Sequence, residues 1–141
     1  MSNKEVKIDK KLQIELMRQL EALESSTDLE GTAIISKTGL RIASAAEAST
    51  EADMHSAGPA AIIALGDKLS QGLKYGDLTE IVITGEDGYT IITVGDTNTK
   101  FMLLTHCKKA SKLGYYFHRL RKSYRKLTSM LESIEISDAY Y

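Results

Sequence analysis

The sequence predicts an α/β (α+β) sandwich, in which a five-stranded, mostly antiparallel sheet is held between helix layers. Three observations predict it. Two stretches, one near each end of the chain, carry leucines and aromatics at helical spacing, and an alanine-rich stretch lies between them. Five short β-branched and apolar runs are separated by turns rich in Gly, Asp and Asn. In chain order the elements read helix, two strands, helix, three strands, helix.

The first helix spans about residues 9–26. Asp9 is its N-cap, because its carboxylate can accept a bond from a free backbone N–H of the first turn. Leu12, Leu16, Leu20 and Leu23 form one apolar stripe, and Ser25-Ser26-Thr27-Asp28 ends the helix. Two strands follow, Thr32 to Ser36 and Leu40 to Ser44, joined by the turn Ser36-Lys37-Thr38-Gly39. Thr50-Glu51-Ala52-Asp53 matches a capping pattern, so a second helix runs from there to about Lys74 and stops at Gly76. Pro59 lacks an N–H and clashes one turn back. Either the helix kinks at Pro59, the reading preferred here, or it begins near Ser56 with Pro59 in its first turn.

Three more strands are Glu80 to Thr84, Tyr89 to Val94 and Lys100 to Thr105. Gly85-Glu86-Asp87-Gly88 and Gly95-Asp96-Thr97-Asn98 separate them, placing Gly, Asp or Asn where positive φ is needed. Phe101 to Leu104 is apolar on both faces, so this strand should be central and covered on both sides. The last helix runs from about Ser111 to Glu132. Its core stripe is Leu113, Phe117, Leu120, Tyr124, Leu127 and Leu131, and Tyr116 belongs to the same side.

The 141 residues fit one domain, read as 9–132 with an N-terminal extension at 1–8 and a frayed C-terminal tail at 133–141. The longest apolar run, Ala57 to Leu65, is under half a membrane span and is broken by Gly58 and Pro59. Residues 1–7 lack the apolar stretch of a signal peptide. Cys107 is the single cysteine, so no intrachain disulfide can form and a cytoplasmic location is expected.

Catalytic chemistry is thinly represented. Neither a phosphate-binding Gly-x-x-x-x-Gly-Lys-Ser/Thr loop nor a Gly-x-Gly-x-x-Gly turn occurs. His55, His106 and His118 are far apart, and His106 and Cys107 are strand neighbours that point to opposite faces, which suits joint metal ligation badly. Lys108 and Lys109 would lower the Cys107 pKa, but a small buried residue closing its strand is the stronger reading. Glu86, Asp87 and Asp96 read as turn formers. The expectation is a protein that is not an enzyme, with no catalytic, cofactor or metal residue.

Charge is segregated. Lys100, Lys108, Lys109, Lys112, Arg119, Arg121, Lys122, Arg125 and Lys126 fall between Thr99 and Leu131 with no acid among them, a charge of +9. The remaining 9 basic and 19 acidic residues leave −10 elsewhere. A solvated outer face of the last helix is the first reading. A docking surface for an acidic partner comes second, ahead of nucleic acid or anionic membrane. Nucleic acid is not an expected partner, because Tyr116 and Tyr124 belong to the core side and leave little for base stacking.

The second helix and the strand after it carry the interaction signal. Ala57, Ala61 and Ala64, with Ala60 alongside, let another backbone approach closely, and the helix is apolar over more than one side. Ile81, Val82 and Ile83 form a strand without charge, Pro or bulge signal. An edge so unprotected invites pairing, whereas the strand with Arg41 looks protected. The expected dimer interface is therefore Ala57, Ala61, Ala64, Leu65, Ile81, Val82 and Ile83. Ile62, Ile63 and Leu69 are expected to meet a different partner.

With these residues in view, the chain resembles the Roadblock family of dynein-light-chain-like modules. The likeness covers about Leu12 to Leu131. It is carried by the helix Leu16 to Leu23, by Leu29-Glu30-Gly31-Thr32-Ala33-Ile34-Ile35 and by the turn Lys37-Thr38-Gly39-Leu40. The Ala-rich helix Ala57 to Leu69, Ile81-Val82-Ile83-Thr84-Gly85 and Lys112-Leu113-Gly114 complete it, and the Gly58-Pro59 pair departs from it. The resemblance implies a profilin- or longin-like sandwich that pairs through the second helix and third strand. It also implies binding or regulation of small Ras-like GTPases, or scaffolding in dynein and lysosomal complexes. Members similar to the bacterial polarity regulator stimulate GTP hydrolysis by reshaping the GTPase, without an active site of their own. The expected partners are thus a second copy or a sister module, and a small Ras-like GTPase. The alternative is a structural adaptor of a motor, motility or trafficking assembly.

Overall fold

The computed structural model describes residues 5–6, 10–27, 29–39, 41–45, 57–94, 100–108, 113–131 and 136–137. The elements are β1 (Glu5–Val6), α1 (Lys10–Ser25), β2 (Leu29–Ser36), β3 (Arg41–Ser44) and α2 (Ala57–Gly72), then β4 (Glu80–Thr84), β5 (Gly88–Thr93), β6 (Phe101–Lys108), α3 (Leu113–Met130) and β7 (Ile136–Ser137). The five long strands form one sheet in the order β3-β2-β6-β5-β4, antiparallel at every pairing. Phe101 to Leu104 sits in the middle strand, as its two apolar faces require. The two strands expected at the edges, those carrying Arg41 and Val82, are the edges.

Alternation along the strands divides the core in two. One face packs Ile34, Ile91, Phe101, Leu103 and Cys107 against the leucines of α1 and the Leu120, Tyr124, Leu127 and Leu131 stripe of α3. The other packs Ala33, Ile35, Ile92, Met102 and Leu104 under Ile63 of α2. Helices α1 and α3 therefore cover one side and α2 the other.

Local chemistry sets the boundaries. The Thr27 hydroxyl donates to the Leu23 carbonyl at 2.7 Å and accepts from the Leu29 N–H at 3.2 Å, so one side chain ends α1 and starts β2. The Ser36–Gly39 turn closes through the Gly39 N–H on the Ser36 carbonyl, with Gly39 at φ +98°. The Gly85–Gly88 turn departs from expectation: no residue in it has positive φ. Gly88 is needed for space instead, since a Cβ there would stand 3.0 Å from the Cys107 carbonyl oxygen.

Within the described residues α2 runs from Ala57 with Pro59 in its first described turn, and the choice between a kink and a start near Ser56 falls on residues outside them. Two further expectations change. The same helix ends at Gly72, two residues short of Lys74. Glu5–Val6 pairs antiparallel with Ile136–Ser137, in stretches expected to be an extension and a frayed tail. Two-residue strands leave no periodicity to read. Asp9, the Thr50–Asp53 capping pattern, the Gly95–Asn98 turn and His55 lie outside the described residues.

Candidate functional site

Strand β4 has a neighbour, β5, on one side only. Ile81 packs with the cluster under α2, whereas Val82 packs with the cluster under α1 and α3. Ile83 follows Ile81 on the α2 side and is 43% exposed. The free edge carries Glu80, Ile81, Val82, Ile83 and Thr84, with none of the lysines, prolines or bulges that discourage pairing.

Helix α2 lies beside this edge and is lightly seated. Pro59 and Ile63 are buried, Ala60 and Gly66 are half-buried, and Leu78 and Ile81 close the contact from below. The opposite face is apolar and open. Ala61 and Ala64 are exposed, Ile62 is 37% exposed, Leu65 71% and Leu69 63%. Past the helix end, Leu73 and Tyr75 add 51% and 77% exposure. Leu65, Lys68, Leu69, Gly72 and Leu73 line a shallow depression of about 350 Å³ on this face. A cleft of about 380 Å³ runs beneath the helix, lined by residues that include Lys37, Ile63, Asp67 and Leu78.

The loop after α2 is tied down. The helix ends in a paired turn, with the Tyr75 N–H on the Ser70 carbonyl at 2.9 Å and the Lys74 N–H on the Gln71 carbonyl at 3.0 Å. Lys74 holds the left-handed position, φ +64°, that glycine usually takes. The Asp67 carboxylate accepts the Leu78 N–H at 3.2 Å, and the Gln71 amide donates to Asp77 at 2.8 Å. These bonds fix α2 against the start of β4.

The Roadblock/LC7 domain model matches residues 16–105, from the first buried leucine of α1 into the central strand. The chain belongs to the Roadblock/LC7 domain family. Its fold is that of MglB. Myxococcus xanthus MglB is 16% identical, with a TM-score of 0.79 over 92% of this chain and 96% of that one. MglB in a tetrameric arrangement is also 16% identical, with a TM-score of 0.80 over 92% and 97%. The gliding protein MglB from Thermus thermophilus is 15% identical, with a TM-score of 0.77 over 92% and 98%. Sequence comparison with curated proteins gives no significant match. No helix among the described residues is long and apolar enough to cross a membrane.

In this Roadblock/LC7 domain most of the expected interaction residues come together. Ala61, Ala64, Leu65, Ile81, Val82 and Ile83 lie on α2 and the adjacent edge strand, and Ala57 opens the helix. Ile62 and Leu69 face outward near them. Ile63 is a correction. It is 5% exposed and packed on the sheet, so of the three residues expected to meet a different partner only Ile62 and Leu69 are exposed. Leu73 and Tyr75, absent from the expected set, extend the exposed apolar surface, and the steps of four from Leu65 to Leu69 to Leu73 are the sequence signal for it.

The basic helix is partly engaged. Arg119 donates to the Tyr115 hydroxyl at 3.1 Å and to the Ser26 hydroxyl, and Arg121 pairs with the Glu80 carboxylate. That pairing holds the Arg121 guanidinium above its ordinary pKa, first through the hydrogen bond and then through the carboxylate's charge. Elsewhere, His106 Nδ1 is 2.8 Å from the Thr90 hydroxyl. Burial pushes its pKa below the usual imidazole range, against the opposing pull of Glu30. Cys107 is buried, and no group of three or more metal-ligating side chains exists among the described residues.

Proposed function

We propose that this protein is a non-enzymatic, homodimeric regulator or scaffold that binds a small Ras-like GTPase in the cytoplasm and modulates its nucleotide cycle. One observation carries the reading: a lightly seated helix with an apolar outer face stands beside an open sheet edge whose middle residues, Ile81 to Ile83, are uncharged. Antiparallel pairing of β4 with β4 of a second copy joins two sheets and brings the two α2 helices together. Ala57, Ala61, Ala64, Leu65, Ile81, Val82 and Ile83 serve that interface. Ile62 and Leu69, with Leu73 and Tyr75, form the surface that meets the GTPase.

A surface of this kind acts by selection. GTPase switch segments order and disorder with the γ-phosphate, so a partner that prefers one arrangement shifts the population toward it. The charge-poor, aromatic-tipped face of α2 suits this role better than the Lys- and Arg-rich face of α3, because buried anchors at interfaces are apolar or aromatic. The family membership and the MglB fold support the same reading.

The test is GTP turnover by candidate Ras-like GTPases with and without this protein. A changed turnover rate that is lost on Leu69→Glu supports regulation. Binding without a change in turnover assigns the adaptor role instead, and no binding to any Ras-like GTPase overturns the proposal.

A further inference from the structure

Helix α3 packs on β5 and β6, on the side of the sheet opposite α2, and its Arg121 reaches the edge strand. The Arg121–Glu80 pair fixes this placement, since Glu80 and Val82 share the β4 face that packs toward α1 and α3. The homodimer proposed above, on which this inference rests, therefore has a second consequence. Pairing at β4 puts both α3 helices on one face of the joined sheet, with both α2 helices on the other.

The doubled α3 surface is rich in uncompensated charge. The helix contains no Asp or Glu. Lys122, Arg125 and Lys126 are exposed and have no ion-pair partner among the described residues, whereas Arg121 is balanced by Glu80. Neighbouring α1 is balanced, with Glu15, Glu21 and Glu24 set against Lys10, Lys11 and Arg18, and does not cancel the excess. Two copies thus gather six free cations on one face.

Charge is nearly all this face offers. Among the described residues, Tyr115 is the one large hydrophobic side chain exposed on α3, and both clefts described above lie beside α2. A protein partner needs buried anchors for affinity. A planar anionic surface needs only cations spread over a broad face, each strengthening attachment about fivefold. We propose that the Lys122, Arg125 and Lys126 face of α3, doubled across the dimer, binds the anionic headgroups of a lipid bilayer and leaves α2 turned toward solution.

Sedimentation of the full chain with phosphatidylcholine vesicles, with and without phosphatidylserine, tests this. Binding is expected to require phosphatidylserine and to be released as salt rises from about 0.05 to 0.5 M. Lys122→Gln, Arg125→Gln and Lys126→Gln combined should lower partitioning by more than about a hundredfold. The charge-keeping set Lys122→Arg, Arg125→Lys and Lys126→Arg should retain it, with circular dichroism unchanged in both. Ile83→Lys, as a monomer with half the cations, should weaken binding about a hundredfold. Vesicle binding that survives the Gln substitutions overturns the proposal. So does an absence of binding at low salt, or capture of polyglutamate or single-stranded DNA while vesicles stay unbound. If Ile83→Lys remains a dimer while the Gln variant loses binding, the β4 placement fails and the lipid face stands.

Discussion

Gly66 lies against Ile81 so closely that a Cβ at residue 66 would stand 2.7 Å from Ile81 Cδ1 and 3.3 Å from Leu78 Cδ2. The missing side chain lets α2 settle onto the edge of the sheet, next to the strand proposed to pair. The atom in the way is the far end of a side chain that can rotate. Gly66→Ala gains about 0.5–1 kcal/mol of helix propensity, and re-seating Ile81 costs about as much. Its stability in urea should stay within about 1 kcal/mol of wild type. Gly66→Leu should lose about 1–3 kcal/mol, because no single rotation clears the larger group.

Lys74 occupies a backbone conformation that costs a non-glycine residue about 1–2 kcal/mol. Lys74→Gly should raise the urea midpoint by an amount equivalent to about 1 kcal/mol, without a change in helix content. A drop in stability would mean that the Lys74 side chain contributes more than its backbone costs.

Tyr124 joins the last helix to the ends of the β5–β6 connection. Its hydroxyl lies 2.5 Å from the Val94 carbonyl oxygen and 2.8 Å from that of Phe101, in a buried position. Tyr124→Phe removes the hydroxyl from beside both carbonyls and should cost about 1–3 kcal/mol in thermal or chemical unfolding.

The legible part of this fold was the part governed by a single period. The α1 and α3 stripes and the two-faced central strand follow from spacing, and both sheet edges from where charge falls, absent at Ile81 to Ile83 and present at Arg41. Helix α2 resisted because it is apolar over more than one side: Ile62 and Ile63 are alike in the sequence, yet one faces solvent and the other the sheet. Only the seat made by Leu78, Ile81 and the bare Gly66 decides between them. The helix end was misplaced for a related reason. Gly76 advertises a left-handed turn, but the bonds to Ser70 and Gln71 put the first such residue at Lys74.

His106 makes stability depend on pH. Its pKa is lowered by burial, so the folded chain binds fewer protons there than the unfolded chain. Stability from this residue is present above the usual imidazole pKa of about 6.5 and is lost as pH falls from there toward the folded value. The urea midpoint should decline between about pH 7 and pH 5, and His106→Gln should flatten that decline. An unchanged slope would assign the acid sensitivity to other groups.

The proposed pairing of two copies through β4 underlies both the proposed GTPase surface and the proposed lipid face, and light scattering on an eluting peak measures it most directly. A mass of twice the 15.5 kDa chain is expected for the wild type. A single-chain mass is expected for Ile83→Lys, whose half-exposed position spares the core that a lysine at the packed Val82 would disturb. A wild type that elutes as a monomer at micromolar concentration, or a folded Ile83→Lys that remains a dimer, would contradict that pairing.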